Sequence, residues 1–257
     1  MLDLIKVDIY KMAKSSLIKI VFVLSVLSAG LMFLFAHLMA TGDMDIQNTG
    51  IMSLFADSQI FSLLGCVIIG MFLCNDFEYK IIENAISSGH KRNTIVFSKM
   101  LSLVILIAII SLPYIIAIIL SVCTNLEMIV YMPTAYLTIV NFAIKGTDMM
   151  NIIVFIILAI LTYSAKLSIG IFIMFLVKKP VIVIALSYIT ILLLGPVLGL
   201  NEVTKNIMAY TPFGIDYTGL AVNFELVNLM KSCAIGVIFI LIFTFLSILV
   251  FRKCEVK

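Results

Sequence analysis

MLSLVILIAIISLPYIIAIILSV, Met100 to Val122, runs for 23 residues without a charge. As a helix it would rise about 34 Å at 1.5 Å per residue, and the hydrocarbon core of a bilayer is about 30 Å thick. The run is continuously apolar rather than alternating, so it does not have the pattern of a barrel strand. Helices are then the only remaining way to satisfy backbone groups in lipid. Five further runs read the same way: Ile20–Ala40, Gln59–Cys74, Met150–Val177, Val181–Leu200 and Cys233–Phe251. The second is short unless it begins near Met52 and takes Asp57 into its outer end. The expectation is an all-α integral membrane protein of six transmembrane helices, forming a single transmembrane domain over residues 1–257.

Composition agrees. Of 257 residues, 63% are hydrophobic and 12% are charged, and the mean hydropathy is +1.24. A soluble domain carries about 25% charged residues, so this chain has half the charge needed to wet a globular surface. A cytosolic enzyme, a disordered chain and a nucleic-acid binder are excluded on that ground. The net charge of +3 is too small to be an electrostatic footprint.

The positions of the charges supply an orientation. With the N-terminus inside, thirteen of the seventeen basic residues fall on the cytoplasmic side: Lys6, Lys11, Lys14, Lys19, Lys80, Lys91, Arg92, Lys99, Lys178, Lys179, Arg252, Lys253 and Lys257. Lys145, Lys205 and Lys231 fall outside, and Lys166 lies within a span. The positive-inside rule therefore places both termini in the cytoplasm. The loop with Asp43, Asp45 and Asp57, free of Lys and Arg, fits the exterior. The first apolar run, about 20 residues, is too long for a cleaved signal and reads as a retained span. The five Cys residues (Cys66, Cys74, Cys123, Cys233, Cys254) show no C-x-x-C spacing; apolar filling is their default role, with a Cys123–Cys233 pairing left open.

Residues 1–17 precede the first span. Leu2, Ile5, Ile9, Met12 and Ala13 recur at helical spacing, while Asp3, Lys6, Lys11 and Lys14 occupy other faces. The pattern predicts an amphipathic helix lying in the headgroup region, its lysines facing anionic lipid.

NDFEYKIIENAISSGHKRNTIVFSK, Asn75 to Lys99, carries seven charges in 25 residues and must leave the bilayer. Phe77, Ile81, Ile82, Ala85 and Ile86 follow a helical period, Ser87-Ser88-Gly89 supplies a C-cap and turn, and Asn93-Thr94 restarts a helix. A short helix, a tight turn and a second helical stretch are expected here, an element that a soluble partner can grip; the plain alternative is a charged connector.

Asn75-Asp76-Phe77, Glu83-Asn84, Ile86-Ser87, Gly89, Arg92 and Ser98-Lys99 resemble the signature loop of type-2 ATP-binding-cassette (ABC) exporter permeases. The look is nearest to the bacterial permeases of peptide export and of lantibiotic or bacitracin immunity. Tyr79-Lys80 stands where that family often has Gly-Thr. The resemblance implies a coupling helix in this loop, with Phe77, Glu78, Glu83, Ser87, Gly89, Arg92 and Lys99 at the contact with a separate ABC ATPase subunit. It also implies a second permease copy, identical or homologous, and a bacterial plasma-membrane location. The cargo it implies is an amphipathic or peptide-like substrate such as an antimicrobial peptide. No G-x-x-x-x-G-K-[ST] occurs, so no cofactor is expected in this chain; ATP and Mg would belong to the partner ATPase.

Lys166 is the one charge deep in an apolar run. A central Lys costs roughly 2.5–3.5 kcal/mol on insertion scales, so it either lines a translocation path or ion pair, or snorkels to water. Asp57, Ser58, Gln59 and His37 either line an external vestibule or sit in interfacial water. Pro113 and Pro196 are expected to kink or break their spans. Residues 201–231, half apolar with a Pro/Gly turn, predict short re-entrant or interfacial helices at the outer leaflet, anchored by Tyr210, Phe213 and Tyr217. His37 and His90 fall on opposite sides, and no H-E-x-x-H or G-x-S-x-G occurs, so no catalytic or metal residue is assigned and the chain is not read as an enzyme. An ion-coupled secondary transporter, or a membrane-embedded sensor or binding module, remains the alternative; the former would want midplane charges in more than one span.

Overall fold

The computed structural model describes residues 2–42, 56–124, 134–144, 149–197, 201–222 and 226–253. Among these residues every regular element is helical and no strand occurs. The acidic loop with Asp43 and Asp45, Lys145, and the tail with Cys254 and Lys257 lie outside the described residues.

Helix α1 spans Leu2–Lys14, with Asp3 in its first turn and Lys11 and Lys14 in its last, both favourable to the helix dipole. Ser15 takes an extended conformation and separates it from α2, Ser16–Thr41. Gly42, at φ +81°, ends α2 and donates its N–H to the Leu38 carbonyl. One face of α2 (Val21, Ser25, Ala29, Met32, Ala36) is buried, while Leu24, Leu27 and Leu34 on the other are exposed. A helix apolar all round belongs in a core or a membrane.

Helix α3, Asp57–Ile68, continues through a π turn, Ile69–Cys74, into α4, Asn75–Glu78. The three pieces make one 22-residue helix, Asp57–Glu78. At the π turn the backbone comes close to its neighbour: a Cβ on Gly70 would lie 2.9 Å from the Pro180 carbonyl oxygen and 2.3 Å from Ile184. Helix α5, Ile81–Ser87, follows a Lys80 in the left-handed region. Gly89, at φ +91°, turns the chain, and α6, Arg92–Thr124, runs unbroken through Pro113.

Helix α7, Ala135–Ile144, is ten residues long and mostly apolar; α8 spans Met149–Val177 and α9 Pro180–Val197. Pro196 sits one residue before the end of α9, consistent with a helix stop. Three short pieces follow: α10, Glu202–Met208, a 3₁₀ turn at Pro212–Gly214, and α11, Tyr217–Val222. The last helix, α12, is Leu226–Lys253. It packs along α8, which also supports α6, α7 and α9, while α2 lies on α6.

Among the described residues five helices are long and apolar enough to cross a bilayer: Ser16–Thr41, Asp57–Glu78, Arg92–Thr124, Met150–Val177 and Val227–Lys253. Helix α9 is apolar but shorter. Large side chains such as Leu241, Ile242 and Phe245 on α12, and Ile189 and Leu193 on α9, face outward. An apolar exterior of that extent marks a multi-pass membrane protein.

Candidate functional site

Two places draw the sequence's candidates together: the α4–α6 loop at one end of the bundle, and a cavity among α3, α8 and α9.

At the loop, Asp76 in α4 and Lys99 in α6 form part of a buried charge network. Lys99 Nζ donates to both oxygens of Asp8 on α1, at 2.7 and 2.9 Å, and to Asp76 at 2.6 Å. Ser102 Oγ donates to Asp8 at 2.7 Å. Lys11 pairs with the other Asp76 oxygen and donates to the Phe72 carbonyl in the π turn at 3.0 Å. Asp8, Asp76 and Lys99 are almost fully enclosed, so each ammonium offsets a carboxylate that would otherwise be costly to bury. The network fastens the amphipathic helix to the ends of two long helices. Asp8 was not picked out from sequence. Its signal is its register: it falls three residues after Ile5 and four before Met12, on the stripe that is buried.

Arg92 reaches across to the far end of the chain. Its guanidinium donates to the Phe251 and Arg252 carbonyls at 2.8 and 3.0 Å, satisfying acceptors that the last turn of α12 leaves open. Arg252 in turn donates to Asn93 Oδ1 at 3.2 Å. Phe77 packs edge-on to Phe175 and Phe251, at 5.6 and 6.4 Å between ring centres. Ile82 is buried. The Ser88–His90 turn closes α5: the Gly89 N–H bonds to the Ile86 carbonyl and the His90 N–H to Ala85.

The seven loop candidates therefore divide. Phe77, Arg92 and Lys99 point into the bundle and hold the loop. Glu78, Ser87 and Gly89 are exposed and Glu83 is half-exposed, and with Tyr79 and Ile81 they form the outer face of α4–α5.

In the second place, a cavity of about 490 Å³ is lined by Ser58, Gln59, Lys166, Tyr188, Leu192 and Phe213, among others. Lys166 Nζ lies 5.6 Å from the ring centres of both Tyr163 and Phe213. Gln59 and Lys166 thus share one chamber. Asp57 does not line it. Its carboxylate is fully buried and accepts the N–H groups of Ser58 at 2.8 Å and Tyr136 at 2.7 Å. It therefore sits at the N-terminal ends of α3 and α7 together, where orphan donors and the helix dipoles favour a negative group. Sequence reading found no element at α7, because ten residues are too few to span a bilayer.

Beside Asp57, Phe61 stacks on Tyr163 at 4.5 Å, and Tyr114 and Tyr136 complete the aromatic group. Tyr114 shares a 2.8 Å hydrogen bond with Ser28 on α2. On α11, burial pushes the Tyr217 phenol well above its ordinary range, so it stays protonated. Cys123 and Cys233 are both free thiols. Among the described residues no group of three or more His, Cys, Asp or Glu is placed to hold a metal ion. Comparison with protein-family models and with curated proteins finds no match.

Proposed function

We propose that this chain is the membrane permease subunit of an ABC exporter. In this reading α9 is the sixth span, and both termini and the α4–α6 loop face the cytoplasm of a bacterial cell. A separate ATPase subunit binds ATP and Mg and docks on α5, and a second permease copy completes the pathway for an amphipathic or peptide-like substrate.

One observation carries the proposal. Helix α5 is a short, exposed element tied rigidly to the bundle on both sides, by Phe77 and Ile82 before the turn and by Arg92 after it. A lever of this kind transmits a push from a soluble partner into α3 and α6 rather than absorbing it. Its outer face sets the charged side chains of Glu78, Lys80 and Glu83 around the exposed Tyr79 and Ile81, as a polar rim surrounds the aromatic and apolar centre of a docking contact.

Co-expression with a P-loop ATPase, taken from a neighbouring reading frame where one encodes it, tests it. Tagged permease is expected to retain the ATPase and to change its hydrolysis rate. Glu78→Arg with Glu83→Arg should abolish that change while the permease elutes as the wild type. Unaltered coupling in the double variant would overturn the docking assignment.

A further inference from the structure

We propose that the Lys166 cavity is a binding site for the anionic headgroup, carboxylate or phosphate, of a single-chain amphiphile. The inference deepens the exporter reading by naming the chemistry of its cargo, and rests on that reading only for the route the amphiphile takes.

Four observations converge. First, among the described residues Lys166 has no ion-pair partner. Two aromatic faces at 5.6 Å accommodate its ammonium but supply only part of what a carboxylate would. Second, the Asp57 carboxyl group, buried at the start of the helix that carries Ser58 and Gln59, already accepts the Ser58 and Tyr136 N–H groups with its two oxygens. Third, among the described residues no Asp or Glu lines the cavity; the other polar groups in its lining are hydroxyl and amide, from Ser58, Ser62, Gln59 and Tyr188. One cation among neutral donors is an anion site. Fourth, about 490 Å³ falls within the range of small-molecule sites, roughly 300–1,000 Å³, and the wall is not closed. A Cβ at Gly195 would meet nothing within 4 Å, and Leu192 beside it is 46% exposed. A headgroup on Lys166 can therefore leave its alkyl tail along Leu192, on the outward apolar face of α9. An inorganic anion would use the ammonium and gain nothing from that apolar wall.

The probe is 11-(dansylamino)undecanoic acid, added to the full-length protein in phosphatidylcholine nanodiscs without any ATPase. Saturable fluorescence enhancement is expected, with affinity falling at least tenfold in Lys166→Met and kept within about threefold in Lys166→Arg. Dodecyl phosphate should displace the probe; dodecyltrimethylammonium and inorganic phosphate at the same concentration should not. Binding unchanged in Lys166→Met, displacement by the cationic detergent, or no saturable signal in a folded protein would each overturn the proposal. Repeating the titration in phosphatidylglycerol nanodiscs separates the sources of the headgroup. Loss of probe binding there identifies a bilayer lipid as the occupant, and retention identifies a free amphiphile; either outcome supports an anion site. Because no ATPase is present, a negative result leaves the docking of α5 untouched, and failure of the docking experiment leaves this one intact.

Discussion

Lys99 and Asp8 stand 91 residues apart in the chain, and the ammonium of one meets the carboxylate of the other at 2.7 Å with both side chains enclosed. Through Lys99 the contact extends to Asp76, so three segments of the chain meet at one buried charge. The residues that carry the family resemblance at this end, Asp76 and Lys99, thus bind one another and α1.

Removing Lys99 should be severe. Lys99→Met strands Asp8 with Ser102 as its remaining partner and leaves Asp76 only Lys11; breaking a buried pair in this way costs about 3–5 kcal/mol. The chain has no Trp, so stability is best followed by loss of the monodisperse peak after heating in detergent. The double change Lys99→Met with Asp8→Asn should recover part of the loss. A single variant that survives heating like the wild type would contradict the network.

Arg92→Ala should act at the other terminus. It removes charged hydrogen bonds to the Phe251 and Arg252 carbonyls, worth about 1.5–3 kcal/mol where a charged donor is involved. Amide exchange in the last turn of α12 should rise roughly ten- to a hundredfold, since 1.4 kcal/mol is a factor of ten, while α2 is unaffected. Hydrogen–deuterium exchange of peptides covering residues 245–253 reads this directly.

Two glycines should respond oppositely to alanine. Gly70→Ala drives a methyl against the Pro180 carbonyl and Ile184, and such overpacking costs about 1–3 kcal/mol. A methyl on Gly30 meets nothing within 4 Å, so Gly30→Ala should stabilise α2 by up to about 1 kcal/mol through helix propensity. Side-by-side thermal inactivation in one detergent checks the contrast. Equal behaviour would mean that α9 does not press on the π turn.

The proposed orientation predicts a labelling pattern. In a cysteine-free background, Lys205→Cys on intact cells should react with a membrane-impermeant maleimide. Ser88→Cys should react only after lysis. The opposite pattern would invert the topology and remove the ATPase from α5.

Much of this protein is legible in its residue order, because the length of an apolar run is a local property. Met100–Val122 contains its own evidence for a helix long enough to cross a bilayer, and α6 includes it. The turn at Gly89 is equally local, since a Gly after Ser-Ser satisfies the final carbonyls of a helix whatever lies around it. Boundaries were less legible. Helix α12 starts at Leu226, before the apolar run at Cys233, because the mixed segment Leu226–Ser232 continues the helix with Leu229 and Ser232 buried on one face.

Charges show where local reading stops. Sequence determined that this is an all-helical chain with apolar helices, and that Lys166 would be costly in any of them. Only the tertiary structure decided that Lys166 shares a chamber with Gln59, that Asp57 closes two helix ends instead of lining it, and that Asp8 finds Lys99. The physical reason is that an apolar helix responds to its solvent, which composition specifies, whereas a buried charge responds to the few atoms within about 4 Å, which distant parts of the chain bring there.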